Sequence, residues 1–427
     1  HWPTHASYDE NAIVAMTKPT SKTYDSIAFF YYVQYQLHLQ LLNATNYAHE
    51  HGVVVKGDIP IGVYRYGADA WQNRHLFHMD MQAGAPPDDF AVKGQNWGFP
   101  TYNWKVMASN DYSWWKLRFE QMSFYFDAFR IDHILGFFRI WSIPMDQVEG
   151  IMGRFVPAIP IAQQELDKKG ISVDMDRYTK PFINEAVLFT YFGYDNEYAK
   201  QHFVKSLQDG KYELLTNFQT QRSVEAYFKI LPNDEWHLKM QQGLYNLISN
   251  VILFKGDDTQ TYHFRFNMEG TLSFQNLDEK SKNALRDLYV NYFFIRQDNA
   301  WEKEALNKLP MLKKSTNMLI FGEDLGLVPN CVPHVLRQLG MLSLEVQRMP
   351  KASNKTYFHP TDAPYLSVVT PSSHDTSTIR GWWEEDKNKT QQFFNHEIGQ
   401  KGQAPEFCEP WINKAILSQH LYSPAMW

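Results

Sequence analysis

Four short apolar runs in this chain each stop at an acid, and that pattern restricts the fold more than any other feature. The stretch Phe124–Pro144 opens as an aromatic-rich strand with no room for a solvated face. That is the signature of a parallel strand buried on both sides. Charge then enters abruptly at Arg130, Asp132 and His133. Val53–Val55 leads likewise to Asp58, Met318–Phe321 to Glu323 and Asp324, and Leu366–Val369 to Asp375. Helical spacing over Tyr24–Glu50, with Gly52 as a stop, precedes the first run, and an amphipathic helix over Asn110–Met122 precedes the second. A helix over Pro333–Leu339 and a strand at Leu342–Val346 follow the third. Helix alternating with buried strand predicts an α/β chain, and acids at the carboxyl ends of parallel strands predict a (β/α) barrel facing one common site.

Between the second and third runs the character changes. Helical segments are expected at Tyr198–Leu207, Glu235–Ser249 and Ser281–Phe294, with β-like patches at Val251–Phe254 and Thr261–Phe274. Because barrel-type strands resume afterwards, this region reads as an inserted subdomain. The expected division is 1–150 for the first barrel part, 151–315 for the insertion and 316–427 for the second barrel part. Gly84–Trp104 is dense in Pro and Gly and reads as a long irregular loop with Phe90, Trp97, Tyr102 and Trp104 upon it. Loops of this length in compact domains are usually lids or binding loops.

The chain has 427 residues, enough for a large core, and its net charge of −6 argues against nucleic acid as a partner. Its two cysteines, Cys331 and Cys408, read as free thiols in a reducing compartment. No apolar run reaches the length of a membrane span. Aromatic residues make up 15%, an excess that suits the stacking of sugar rings. Converging carboxylates fit glycosidic chemistry, in which one acid attacks the anomeric carbon and a second protonates the leaving oxygen. An arginine beside Asp132 favours the ionised form a nucleophile needs, although a structural ion pair at a strand end would look the same. The acids lack the local spacing of a metal loop, no Gly-x-Ser-x-Gly elbow or phosphate-binding loop is present, and no cofactor is expected.

Phe129-Arg130-Ile131-Asp132-His133 followed by Gly136-Phe137, Gly322-Glu323-Asp324-Leu325-Gly326 and Ser373-His374-Asp375-Thr376 resemble the three signature strand ends of the 4-α-glucanotransferases, also called amylomaltases or disproportionating enzymes. Lys56-Gly57-Asp58-Ile59-Pro60 resembles that family's third barrel strand end, and Gly94-Gln95-Asn96-Trp97-Gly98 its loop over the acceptor sites. The resemblance implies an incomplete (β/α)8 TIM barrel of about strands 3–7, with a large, mainly helical insertion between strands 4 and 5. It implies Asp132 as nucleophile, Glu323 as general acid and base, and Asp375 as the residue that holds sugar hydroxyls and stabilises the transition state. Arg130 would keep Asp132 ionised, Asp58 and His374 would orient the donor, His133 would be a further substrate contact, and Trp97 would stack on the acceptor. The implied substrates are α-1,4-glucans such as maltose, maltodextrin, glycogen or a soluble heteroglycan. Asp132 and Glu323 stand 191 residues apart, a separation typical of the type II branch that includes the plant cytosolic enzyme. That branch implies a cytoplasmic location and starch-binding modules elsewhere in the full-length protein. An α-amylase-type hydrolase and an inactive glucan-binding fragment are the alternatives.

Overall fold

The computed structural model describes residues 5–88, 91–171, 175–352 and 354–427, so Phe90 of the aromatic loop lies outside the described residues. The chain clusters into two compact units: Asp9–Ile61, Ala108–Phe138 and Glu302–Trp427 form one, and Gly62–Met107 and Arg139–Trp301, with residues 5–8, form the other.

The first unit carries a parallel sheet. Strands β1 (Lys56–Ile59), β2 (Ala128–Ile131) and β3 (Leu319–Gly322) pair in parallel in that order. A parallel bridge from Phe321 to Leu342 leads on to β4 (Ser343–Val346), which pairs in parallel with β5 (Ser367–Thr370). Strand order thus follows chain order, as successive βα units require. All four residues of β2 are buried, which explains its unbroken apolar character. The strand starts four residues later than its aromatic run suggested, because helix Ser113–Ser123 and a turn consume Phe124–Phe126. Val53 and Val54 also fall outside β1 and are 54% and 60% exposed; pairing with β2 begins only at Lys56. Helix Tyr24–Glu50 forms over the expected span, but Thr45 is its only buried residue. Polar contacts hold it instead: Thr45 Oγ1 donates to the Tyr125 carbonyl at 3.1 Å, and His49 lies 2.8 Å from Asp127.

The second unit is built around an antiparallel sheet and a helical layer. Gln95–Asn96, Met81–Ala85, Ile140–Pro144 and Arg154–Val156 pair side by side in that order. The expectation that Gly84–Trp104 contains no regular structure is therefore corrected: both its ends enter strands, and Thr101–Tyr102 pairs with Phe77–His78. Pairing of Met81–Ala85 with Ile140–Pro144 explains why Gly62–Met107 groups with Arg139–Trp301 and not with the parallel sheet, which differs from the division at 150 expected from sequence. Helix Asn196–His202 ends before Val204–Ser206 pairs with Tyr212–Leu214, so the helix expected through Leu207 is shorter. Only Thr261–Phe264 of the second β-like patch is strand. Helices Glu185–Phe192, Gln221–Phe228 and Glu235–Ile248 enclose an apolar core that includes Phe192, Phe203, Val224, Leu244 and Ile248.

Candidate active site

Register assembles the centre of the site. Asp58 pairs with Arg130 across β1 and β2, and Arg130 with Phe321 across β2 and β3. Residues two apart on a strand share a face, so Asp58, Arg130 and Asp132 project to the same side. The Arg130 side chain is only 6% exposed and donates from Nε to Asp58 Oδ2 at 2.9 Å and from Nη2 to Asp132 Oδ1 at 3.0 Å. Its Nη1 lies 3.9 Å from Asp375 Oδ2. One planar guanidinium, with five donors in a fixed fork, thus gathers acids from three strand ends. A structural ion pair accounts for one carboxylate on this cation. Three leave an excess of negative charge, which suits a site where positive charge develops.

Burial is the main influence on Asp132 and lifts its carboxyl above the ordinary value; Asp58 and Asp375 add to the rise and Arg130 opposes it. The cation therefore limits the effect of burial without cancelling it. Glu323, just past the end of β3, is under a stronger version of the same pressure. Burial, reinforced by the nearby Asp132 charge, pushes it up to about 7. Its Oε2 accepts from the His133 backbone N–H at 2.9 Å and its Oε1 from Leu325 N–H at 3.0 Å. His133 adopts φ 45° and ψ 56°, a left-handed conformation uncommon outside glycine, as the chain turns away from β2. Gly322 is required before Glu323 because a Cβ there would lie 2.6 Å from Ile134 Cγ2.

Asp324 faces away from Glu323. It is 1% exposed and accepts from Leu344 N–H at 2.9 Å and from Lys351 Nζ at 2.8 Å, while Lys351 also donates to Glu345 at 2.9 Å. Burial raises Asp324 to about 6. On the far side, Asp375 is open, its side chain 63% exposed, with His374 Nε2 at 3.3 Å. Arg348 holds that loop by donating to the carbonyls of Pro371 and Ser377 and to Thr376 Oγ1. Sequence reasoning missed Lys351 and the His133 N–H. The adjacent acids Glu323 and Asp324, opposite in strand parity, were the available signal for the first; nothing in the residue types signals the second.

Of the residues singled out from sequence, Asp58, Arg130, Asp132, His133, Glu323, His374 and Asp375 lie in the unit with the parallel sheet, and Trp97 lies in the other. There Trp97 donates to Gln95 Oε1 at 2.9 Å and stacks on Phe99 with ring centroids 5.6 Å apart. A cleft of about 560 Å³ in that second unit is lined by residues such as Arg177, Lys180, Phe182 and Tyr212, none of them expected from sequence. Among the described residues, no cluster of three His, Cys, Asp or Glu side chains is arranged to hold a metal ion, and no helix is long and apolar enough to cross a membrane.

An α/β protein with an arginine-paired carboxylate beside one that burial raises to about 7 has the equipment for acid–base work at a glycosidic bond. The family described as 4-alpha-glucanotransferase matches residues 1–427, and the chain belongs to it. It is 41% identical over 440 residues to the rice (Oryza sativa subsp. japonica) 4-alpha-glucanotransferase DPE2, covering 100% of this chain and 46% of the rice protein. Against the chloroplastic/amyloplastic 4-alpha-glucanotransferase of Solanum tuberosum it is 27% identical over 317 residues, covering 63% of this chain and 54% of that one. The chain thus spans about half the length of these relatives. A solved amylomaltase from Streptococcus agalactiae, in complex with acarbose, shares the fold with a TM-score of 0.56 at 16% identity, covering 100% of this chain and 57% of that structure.

Proposed function

We propose that the intact protein is a retaining 4-α-glucanotransferase that moves glucosyl or maltodextrinyl units between α-1,4-glucans by double displacement. The observation that carries this reading is the contrast between Asp132, bonded to Arg130, and Glu323, buried and raised to about 7. In the first step Asp132 attacks the anomeric carbon, and the bond to the leaving oxygen breaks as that oxygen takes the Glu323 proton. In the second, ionised Glu323 takes the proton of an acceptor hydroxyl, whose oxygen displaces Asp132. Asp375 and Asp58 hold donor hydroxyls, with His133 and His374 as further contacts, and Trp97 keeps the acceptor-stacking role that the resemblance implies.

The five parallel strands are read as strands 3–7 of an eight-stranded barrel interrupted by the helical insertion. Exposure of Phe30, Tyr31 and Leu37 on the long helix, at 66%, 59% and 52%, supports a barrel that continues beyond this chain. Family membership and the 41% identity to the rice protein support the type II branch, and with it starch-binding modules and a cytoplasmic setting. Cys331 and Cys408 are buried and not joined in a disulfide, which agrees with a reducing compartment. Incubation of the intact protein with maltotriose and glycogen tests the activity. Longer products without net gain in reducing ends are expected; steady growth of reducing ends would place it among the α-amylase-type hydrolases.

A further inference from the structure

The segment that carries Trp97 is stitched to the helical layer of its own unit. Lys93 Nζ donates to Asn246 Oδ1, on helix Glu235–Ile248, at 2.7 Å. The Lys93 carbonyl accepts from Ile151 N–H at 2.6 Å, and Asn96 Nδ2 donates to the Val148 carbonyl at 2.9 Å. Between these bonds two glycines cross. Gly94 has φ +69° and Gly150 lies against it, so that a Cβ on Gly150 would come within 2.6 Å of the Gly94 and Gln95 backbone. The 148–151 turn is itself gripped by both helices. Gln221, fully buried on helix Gln221–Phe228, accepts from the backbone N–H groups of Val148 and Glu149 at 2.9 and 2.8 Å. Its amide donates to Glu149 Oε2 at 2.9 Å, and Gln242 donates to Glu149 Oε1 at 2.8 Å.

The Lys93 ammonium is largely removed from water, which lowers its pKa, with Glu149 opposing that effect and Arg265 adding to it. Its bonded partner is a neutral amide. A surface lysine placed only for solubility would stay in water, where its three donors are satisfied without loss. Here the side chain gives up solvation to reach one acceptor on one helix.

We propose that Lys93 and Asn246 are positioning residues, through which the Gln221–Phe228 and Glu235–Ile248 helices of the insertion brace the 91–99 loop and thereby set affinity for the acceptor glucan and not the rate of bond cleavage. This rests on the transferase reading and on Trp97 as acceptor platform. It assigns part of the insertion a purpose: a rigid mount for the acceptor loop.

The test compares the intact protein with its Lys93→Met, Asn246→Ala and Asn246→Asp forms. Hydrogen exchange of the Trp97 amide, bonded to the Ala83 carbonyl at 2.9 Å, reports on the loop. Initial rates with α-maltosyl fluoride, with and without a maltotriose acceptor, separate cleavage from acceptor binding. Lys93→Met and Asn246→Ala are expected to speed exchange over 94–97 about tenfold. They should raise the acceptor KM about five- to twentyfold and leave fluoride release without acceptor within about twofold. Asn246→Asp, which retains the acceptor oxygen, should restore both values. An unchanged acceptor KM, or an equal loss in acceptor-free fluoride release, overturns the proposal. If the unaltered protein forms no transfer product, the functional reading falls and takes the acceptor-side consequence with it. Unaltered transfer with indifferent variants refutes the brace alone.

Discussion

Replacing Glu323 by Gln should stabilise the protein while stopping its chemistry, and should do so in a pH-dependent way. Burial moves the Glu323 carboxyl from 4.5 to about 7. At about 1.4 kcal/mol per pKa unit, keeping the ionised form in place costs the folded state roughly 3 kcal/mol. The folded protein binds this proton more tightly than the unfolded chain, so stability falls as pH rises from about 4.5 to about 7, and the full cost is present above that range. Gln has the shape but no charge to desolvate. The stability gap between Glu323→Gln and the unaltered protein should therefore widen by up to about 3 kcal/mol between pH 4.5 and pH 8. Urea unfolding of both proteins at the two pH values measures it. The same carboxyl, needed in its protonated form, should give kcat/KM for glucan transfer an alkaline limb near pH 7, falling tenfold per unit beyond. A gap that does not change with pH, together with an alkaline limb above pH 9, would refute the assignment of Glu323 as the buried acid.

Arg130→Leu removes the cation bonded to Asp58 and Asp132 and close to Asp375, and should cost about 3–5 kcal/mol at pH 7. The loss should shrink at acid pH, where Asp132, whose carboxyl burial holds above its ordinary value, takes up a proton, as denaturant titrations at pH 7 and pH 4 will show. Lys351→Met strands the 1% exposed Asp324 without its cation and should destabilise by a similar amount. Adding Asp324→Asn should recover more than half of that, a coupling that a double-mutant cycle reads directly. Gly322→Ala forces a methyl against Ile134 at 2.6 Å and should cost about 1–3 kcal/mol in thermal unfolding, with a parallel loss of turnover as Glu323 shifts.

The parallel half of the fold was legible because burial on both faces leaves an uninterrupted apolar run, which β2 displays in all four residues. Strand starts were less legible. Phe124–Phe126 are as apolar as Ala128–Ile131, and nothing local says that a helix end and turn take the first three. Val53–Val55 misled for the related reason that β-branched residues favour extended backbone whether or not a neighbour is there to pair. The Gly84–Trp104 region was read as irregular from its Pro and Gly content. Its strands come from pairing, of Gln95–Asn96 with Gly84–Ala85, of Thr101–Tyr102 with Phe77–His78 and of Gly84 with Trp141, contacts that no local composition encodes. The gathering of Asp58, Asp132 and Asp375 on Arg130 was legible because a carboxylate beside an apolar run is conspicuous. His133 contributes through its backbone N–H and its left-handed φ, neither of which a side-chain pattern reveals.

Glu323 and Asp324 show how far strand parity alone can carry the division of labour. The β2–β3 register sets Phe321 beside Arg130 and Gly322 beside Ile131; continued one step, it sets Glu323 beside Asp132. Asp324 must then face the other way, and the bridge from Phe321 to Leu342, continued likewise, sets it beside Glu345. Two acids side by side in that apolar layer would repel each other, and Lys351 resolves this by donating to both. Among the described residues no such cation bonds Glu323: its oxygens meet backbone N–H groups and an environment already negative at Asp132. The first arrangement offsets a buried charge with a lysine; in the second, burial favours the protonated acid, as the proposed role of Glu323 as proton donor requires. A one-residue slip of β3 would exchange the two fates, which is why the Gly322 contact with Ile134, beside the turn that presents the His133 N–H, bears on the chemistry as much as on the packing.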